Sequence, residues 1–148
     1  MFSALRKKIN VVAKLNNYKL FELLFKDKEF KDFIFELNTQ TQLYDQGVGS
    51  DGNSIGKYSN YTINIKKEKG QPTDRVTLKD TGEFYKSFRV RWIASGSGMI
   101  QITANTMKGD TDLLMAWGKE ILGLNEDSLS QLRYIATAKL KTILHENI

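Results

Sequence analysis

The sequence predicts an α+β domain, and three observations carry that prediction. Apolar residues recur at three- and four-residue steps at both ends of the chain, the period of amphipathic helices. Between those ends, Phe88, Val90 and Trp92 alternate with Arg89, Arg91 and Ile93, the period of a half-buried strand. Ser95, Gly96, Ser97 and Gly98 then form a turn, and Met99, Ile100, Ile102 and Ala104 return as a second strand, closing a β-hairpin near 88–104. The 148 residues are enough for a single domain with its own core. Residues 1–38 read as a helical N-terminal extension of a core formed by residues 42–148.

Each element has a local reason. Phe2, Leu5, Ile9, Val12 and Leu15 place one apolar stripe on a helix running to about Leu24. A second helix follows with Phe30, Phe33, Ile34 and Leu37, then Leu43 and Tyr44, and Asp27 is positioned to cap it. The many aromatics of this region, Phe21, Phe25, Phe30 and Phe33 among them, call for burial in a core or a subunit interface. Residues 46–56 hold four of the eleven glycines together with Asp51 and Asn53, which predicts a loop. The stretch 61–67 fits strand or helix by pattern. Lys66, Lys67, Glu68 and Lys69 favour helix, with Ser59 or Asn60 as cap and Gly70 as terminator. A third strand beyond the hairpin is allowed by the pattern. Asp110 or Thr111 caps a helix carrying Leu113, Leu114, Trp117 and Ile121, which Gly123 ends. Asn125 or Asp127 caps a last helix whose stripe includes Leu129, Leu132, Ile135, Leu140 and Ile143.

Composition narrows the chemistry. The chain has no cysteine, which removes disulfides, thiolate nucleophiles, zinc fingers and iron–sulfur sites. Its single histidine, His145, reads as an exposed residue near the end of the last helix, so neither a catalytic triad nor a histidine metal site is expected. No apolar run is long enough for a membrane span, and no secretory signal peptide is expected. The net charge of +5 is uneven. Residues 1–31 carry eight bases against three acids, residues 32–56 four acids and no base, and residues 57–91 nine bases against four acids. Such a sign pattern suits a polyanion or complementary neighbours in an assembly.

The loop sequence Gly47-Val48-Gly49-Ser50-Asp51-Gly52 matches GxGxxG in form only. A dinucleotide fingerprint follows a strand and opens a helix, and here a helix precedes and a polar loop follows. Asp45, Asp51 and Asn53 lack EF-hand spacing. The Asp80-Thr81-Gly82 tripeptide also begins the aspartic-protease site. Here Leu78-Lys79 precedes it in place of a hydrophobic strand, and Glu83 stands where those enzymes carry a small hydroxyl residue. Asp80 and Glu83 have no accompanying base, metal cluster or nucleophile, so no catalytic residue, cofactor site or metal site is assigned and no enzyme is expected.

Residues 76–88, VTLKDTGEFYKSF, resemble the L-x-D-T-G-x-L/F-x-x-S-F/I signature of tailed-phage neck and tail-completion proteins, the small head–tail connector and virion-morphogenesis proteins of phages and prophages. The upstream stretch from Gln42-Leu43-Tyr44-Asp45-Gln46-Gly47 through Ile55-Gly56-Lys57-Tyr58-Ser59, with Thr62, Lys66 and Gly70, is similar to the same family as it occurs in phages of Bacteroidetes-type hosts. The likeness spans roughly residues 42–104. It implies a structural virion protein, assembled in the host cytoplasm, that forms a ring of its own copies between portal or adaptor and tail proteins, around the DNA path and away from any membrane.

Read physically, the motif is structural. Asp80 or Thr81 is placed to cap a short helix, and Gly82 permits a tight approach. Phe84 and Phe88 share a face, Leu78 packs from the other side, and Ser87 completes the pattern. For a ring around DNA, Lys66, Lys67, Lys69, Arg89 and Arg91 are the candidate phosphate contacts, without base readout. The rival reading is a nucleic-acid-binding protein acting outside the virion. A sequence pI near 9.3 and aromatics beside basic residues support it, though no recognised nucleic-acid motif does.

Overall fold

Helix α1 (Asn17–Lys26) and helix α2 (Lys28–Glu36) are separated only by Asp27, whose side chain accepts a hydrogen bond from the Phe30 N–H. That is the cap its position predicts. The computed structural model describes residues 17–93 and 99–146, so residues 2–16 of the helix expected from Phe2 to about Leu24, and the turn at residues 95–98, lie outside the described residues. Across the break, Lys139 from the last helix reaches Asp27 at 2.9 Å and Glu29 at 3.1 Å. Its ammonium holds the Asp27 carboxyl below the usual range and is itself raised by the same contacts.

Helix α2 continues without interruption into a wider helix, Leu37–Gln46, whose hydrogen bonds span five residues. This widening sets Asn38, Thr39, Gln42 and Leu43 on one buried face. Gly47 ends it in a left-handed conformation, φ +64°, with the Arg75 Cβ only 2.8 Å from where a side chain would begin. Residues 47–56 form the expected loop, closed by a single bridge between Val48 and Ser54. Helix α3 (Asn60–Glu68) resolves the strand-or-helix ambiguity in favour of helix, capped by the Ser59 hydroxyl.

After an extended passage and the short helix α4 (Glu83–Lys86), strands β1 (Arg89–Ile93) and β2 (Met99–Thr103) pair antiparallel. Val90 faces Ile102 and Trp92 faces Ile100 across the pair, while Arg89 and Arg91 lie opposite Thr103 and Gln101. A second, smaller hairpin was not foreseen: β3 (Met107–Lys108) and β4 (Thr111–Asp112) pair around a two-residue Gly109-Asp110 turn. It corrects the next helix. Asp110 and Thr111 belong to this hairpin, and Asp112 caps helix α5 (Leu113–Trp117) through the Leu114 N–H. Helix α5 also stops early, at Gly118 (φ +92°), so Ile121 sits in a separate 3-10 turn, Lys119–Ile121. Asn125 caps the long helix α6 (Glu126–Glu146) by accepting from the Ser128 N–H, as expected.

The core has two clusters. In the first, Leu24, Phe25, Phe30, Ile34, Leu37 and Leu132 are buried, with Val90, Trp92 and Ile100 packed on them. Trp92 stacks on both Phe21 and Phe25, at 5.0 and 5.4 Å between ring centroids. The second gathers Leu43, Tyr85, Phe88, Leu113 and Ile121. Ile102 packs on both. Residues 17–38, part of the stretch read from sequence as an N-terminal extension, supply Leu24, Phe25, Phe30, Ile34 and Leu37 to the first cluster. The described chain is α+β, with helices before and after a small antiparallel sheet.

Candidate functional site

The stretch 77–88 folds over a cleft of about 420 Å³, walled by Tyr58, Lys66, Leu78, Asp80, Leu113 and Trp117 among others. How that wall is built begins at Tyr58. Its hydroxyl accepts hydrogen bonds from two successive backbone groups, the N–H of Thr77 at 3.0 Å and of Leu78 at 3.1 Å. From below, the buried Tyr85 hydroxyl donates to the Thr77 carbonyl, and burial pushes that phenol up from its ordinary value. Held from both sides, Leu78 adopts φ +56°, the only positive φ of a non-glycine residue among the described residues. A leucine there is strained, and such strain persists only where neighbours over-determine the backbone.

Of the two residues expected to accept a backbone N–H at the start of the short helix, Asp80 or Thr81, only Thr81 does so. The Asp80 carboxylate is used elsewhere. It accepts from Lys69 Nζ at 2.8 Å and from Gln71 Nε2 at 3.2 Å, and Lys108 Nζ lies 3.6 Å away. The aspartate thereby ties the end of helix α3 and the β3–β4 hairpin to the turn. The Lys69 hydrogen bond, then that from Gln71, lowers its pKa to about 2. Thr81 Oγ1 accepts from the Glu83 N–H at 3.4 Å, while the cap position itself is Gly82, which offers no side chain. Gly82 serves by its φ of +87° and not by a close approach, since only the Lys79 side chain comes within 4 Å of an added Cβ. Phe84 and Phe88 meet edge to face at 5.1 Å, and Ser87 Oγ donates to the Phe84 carbonyl and accepts from the Asn105 N–H. Each motif side chain has a packing or hydrogen-bonding task.

Folded pKa below unfolded pKa means that the Asp80 contacts stabilise above pH about 4 and lose that effect as pH falls toward 2. Lys69 is half exposed, so solvent screening reduces the gain to about 1 kcal/mol. Urea unfolding at pH 6 should show Asp80→Asn less stable than wild type by roughly that amount. The gap should close by pH about 2; a gap independent of pH would show that the carboxylate charge is not what matters.

The candidate phosphate contacts separate into two groups. Lys66 is only 7 % exposed, with its ammonium on Gln71 Oε1 and the Lys79 carbonyl, each at 3.2 Å, and 4.8 Å from the Tyr58 ring centre. It is a buried wall residue and cannot serve as a surface phosphate contact, a correction that the helical spacing of the lysines did not reveal. Lys69 is engaged by Asp80. Lys67 is exposed, and so are Arg89 and Arg91 on the outer face of β1. Arg89 is anchored by bonds to the Lys86 and Phe88 carbonyls. The surviving basic surface is thus the outer face of β1, with Lys67 separately on α3.

Sequence reasoning missed Tyr58, Trp117 and the polar residues Asn38 and Gln42. Tyr58 carried a signal only as an aromatic near basic residues and as part of the family-like stretch 55–59. Among the described residues no three acidic or histidine side chains converge as metal ligands would, and no helix is long and apolar enough to cross a membrane. No family model, no curated protein and no solved structure matches this chain.

Proposed function

We propose that this chain is a structural virion protein of a tailed-phage neck or tail, oligomerising as a ring between portal or adaptor and tail, around the DNA path. The observation that carries this reading is the 76–88 sequence, whose resemblance to the neck and tail-completion signature runs on through residues 42–104. Its geometry is compatible with that role. The motif side chains brace a turn between a helix and two hairpins, which is work for an assembly scaffold, and none of them is left poised as a nucleophile or base. Arg89 and Arg91 on the open face of β1 supply phosphate contacts of the sequence-independent kind that a channel lining uses.

The test is cryo-electron microscopy of virions from the phage or prophage that encodes the chain, with mass spectrometry of the purified particles. The expected result is the protein in the particles and a ring of its density at the neck. Absence from purified virions overturns the reading. Salt-dependent DNA binding by the isolated chain would then favour the second reading, a nucleic-acid-binding protein outside the virion, which the exposed arginine pair also supports.

A further inference from the structure

The cleft beneath the motif has no task in the proposed ring, yet its chemistry is selective. Lys66 is more than nine-tenths buried in its wall. An ammonium has three donors, and two of these go to neutral acceptors, Gln71 Oε1 and the Lys79 carbonyl. Among the described residues Lys66 forms no ion pair, and beyond those two acceptors its ammonium meets only the face of the Tyr58 ring, 4.8 Å from its centre. The neighbouring charges are otherwise engaged. Asp80 is held by Lys69 and Lys108, and the Lys79 ammonium lies over the Tyr44 and Tyr85 rings at 5.1 and 5.6 Å. One buried cation without a counter-charge is therefore among the residues that line a volume typical of small-ligand sites. The rest of the wall is mixed: Leu78, Phe84, Leu113 and Trp117 give it an apolar part, beside polar residues such as Thr62 and Asn105.

The geometry points to a carboxylate site: the cleft binds a single carboxylate carried on a flat apolar body, its oxygens on Lys66 and its body against Trp117 and Leu113. A single charge fits better than a phosphate, because Asp80 and Glu83 also line the cleft and repel a dianion. The same chemistry comes either from a free aromatic acid or from an acidic side chain flanked by an aromatic on a second copy of this chain. Neither source depends on the neck reading, so the pocket and the ring can fail separately.

The probes are hydrocinnamate and its neutral amide, titrated into the full chain by calorimetry and followed at the Leu78, Ser87 and Leu113 amides by NMR. The acid should bind at least about tenfold more tightly than the amide, the difference one charge-assisted contact makes. Lys66→Met should abolish that preference, and Lys67→Met, on the exposed side of the same helix, should retain it. Equal affinities for acid and amide on the wild-type chain, or no saturable shifts at the cleft, would overturn the proposal, and this comparison stands even where Lys66→Met fails to fold. Light scattering separates the sources. Loss of mass on adding hydrocinnamate identifies a neighbouring copy's carboxylate as the occupant, and unchanged mass with binding identifies a free acid.

Discussion

Gln42→Leu should destabilise the protein by about 2–5 kcal/mol, although it replaces a polar residue in the interior by an apolar one of similar size. The reason is that Gln42 is completely buried and uses both ends of its amide on a segment some eighty residues away. Its Nε2 donates to the Gly123 carbonyl at 2.9 Å, and its Oε1 accepts from the Asn125 N–H at 2.9 Å. Asn38, one wide turn earlier, does the same to the preceding backbone: Nδ2 donates to the Ile121 carbonyl at 3.1 Å, and Oδ1 accepts from the Gly123 N–H at 2.8 Å. Two side-chain amides thus act as a strand edge for residues 121–125 and hold the start of helix α6. Leucine leaves one backbone N–H and one carbonyl without partners in the interior, each costing about 1–3 kcal/mol. In a chain of this size that should lower Tm by roughly 10 °C. Thermal and urea unfolding would measure it, and the Asn38→Leu, Gln42→Leu pair should be non-additive because both act on Gly123. A Gln42→Leu protein within about 0.5 kcal/mol of wild type would mean that water satisfies those groups and the ladder does not hold the segment.

That ladder also marks the limit of what the sequence made visible. Alternation at residues 88–93 was enough to place the hairpin, because a half-buried strand writes its two faces directly into the chain. Asp27, Ser59 and Asn125 were readable as caps, since a capping side chain bonds to a backbone group two or three residues away. Asn38 and Gln42 carried no such mark. Their partners are backbone atoms at the far end of the chain, and backbone atoms have no residue identity. Lys66 was misleading for a related cause: a lysine on a basic helix reads as solvated, and only the packing of Tyr58, Gln71 and the 79–80 turn against it shows otherwise. Asp80 looked like a cap because Thr81-Gly82-Glu83 opens a helix beside it, whereas lysines from two separate elements bind it. The Gly109-Asp110 hairpin was within reach, since a two-residue Gly-Asp turn is a recognised signal, but strands of two residues are too short to show a period.

Phe30→Ala should cost about 3–5 kcal/mol, a large share of the 5–15 kcal/mol that holds a typical domain. Phe30 is 2 % exposed and lies edge to face with Phe25 at 5.2 Å, so truncation leaves a cavity among Leu24, Ile34 and Leu132 that rigid helices on both sides close poorly. Where the loss is read matters more than its size. The two tryptophans sit in different clusters, Trp92 among the residues packed on the first and Trp117 among those packed on the second. In a Trp92→Phe background, fluorescence reports only the cluster that Phe30 does not touch. Residues 17–38 as core require the Trp117 transition to move to lower urea by the full amount, because one cooperative unit unfolds at once. Residues 17–38 as a separable extension require it to stay in place while far-UV circular dichroism shows an earlier, partial loss of helix. Ile102, which packs on both clusters, is the residue through which the first outcome is transmitted. Ile102→Ala in the same background should therefore separate the two transitions that Phe30→Ala moves together.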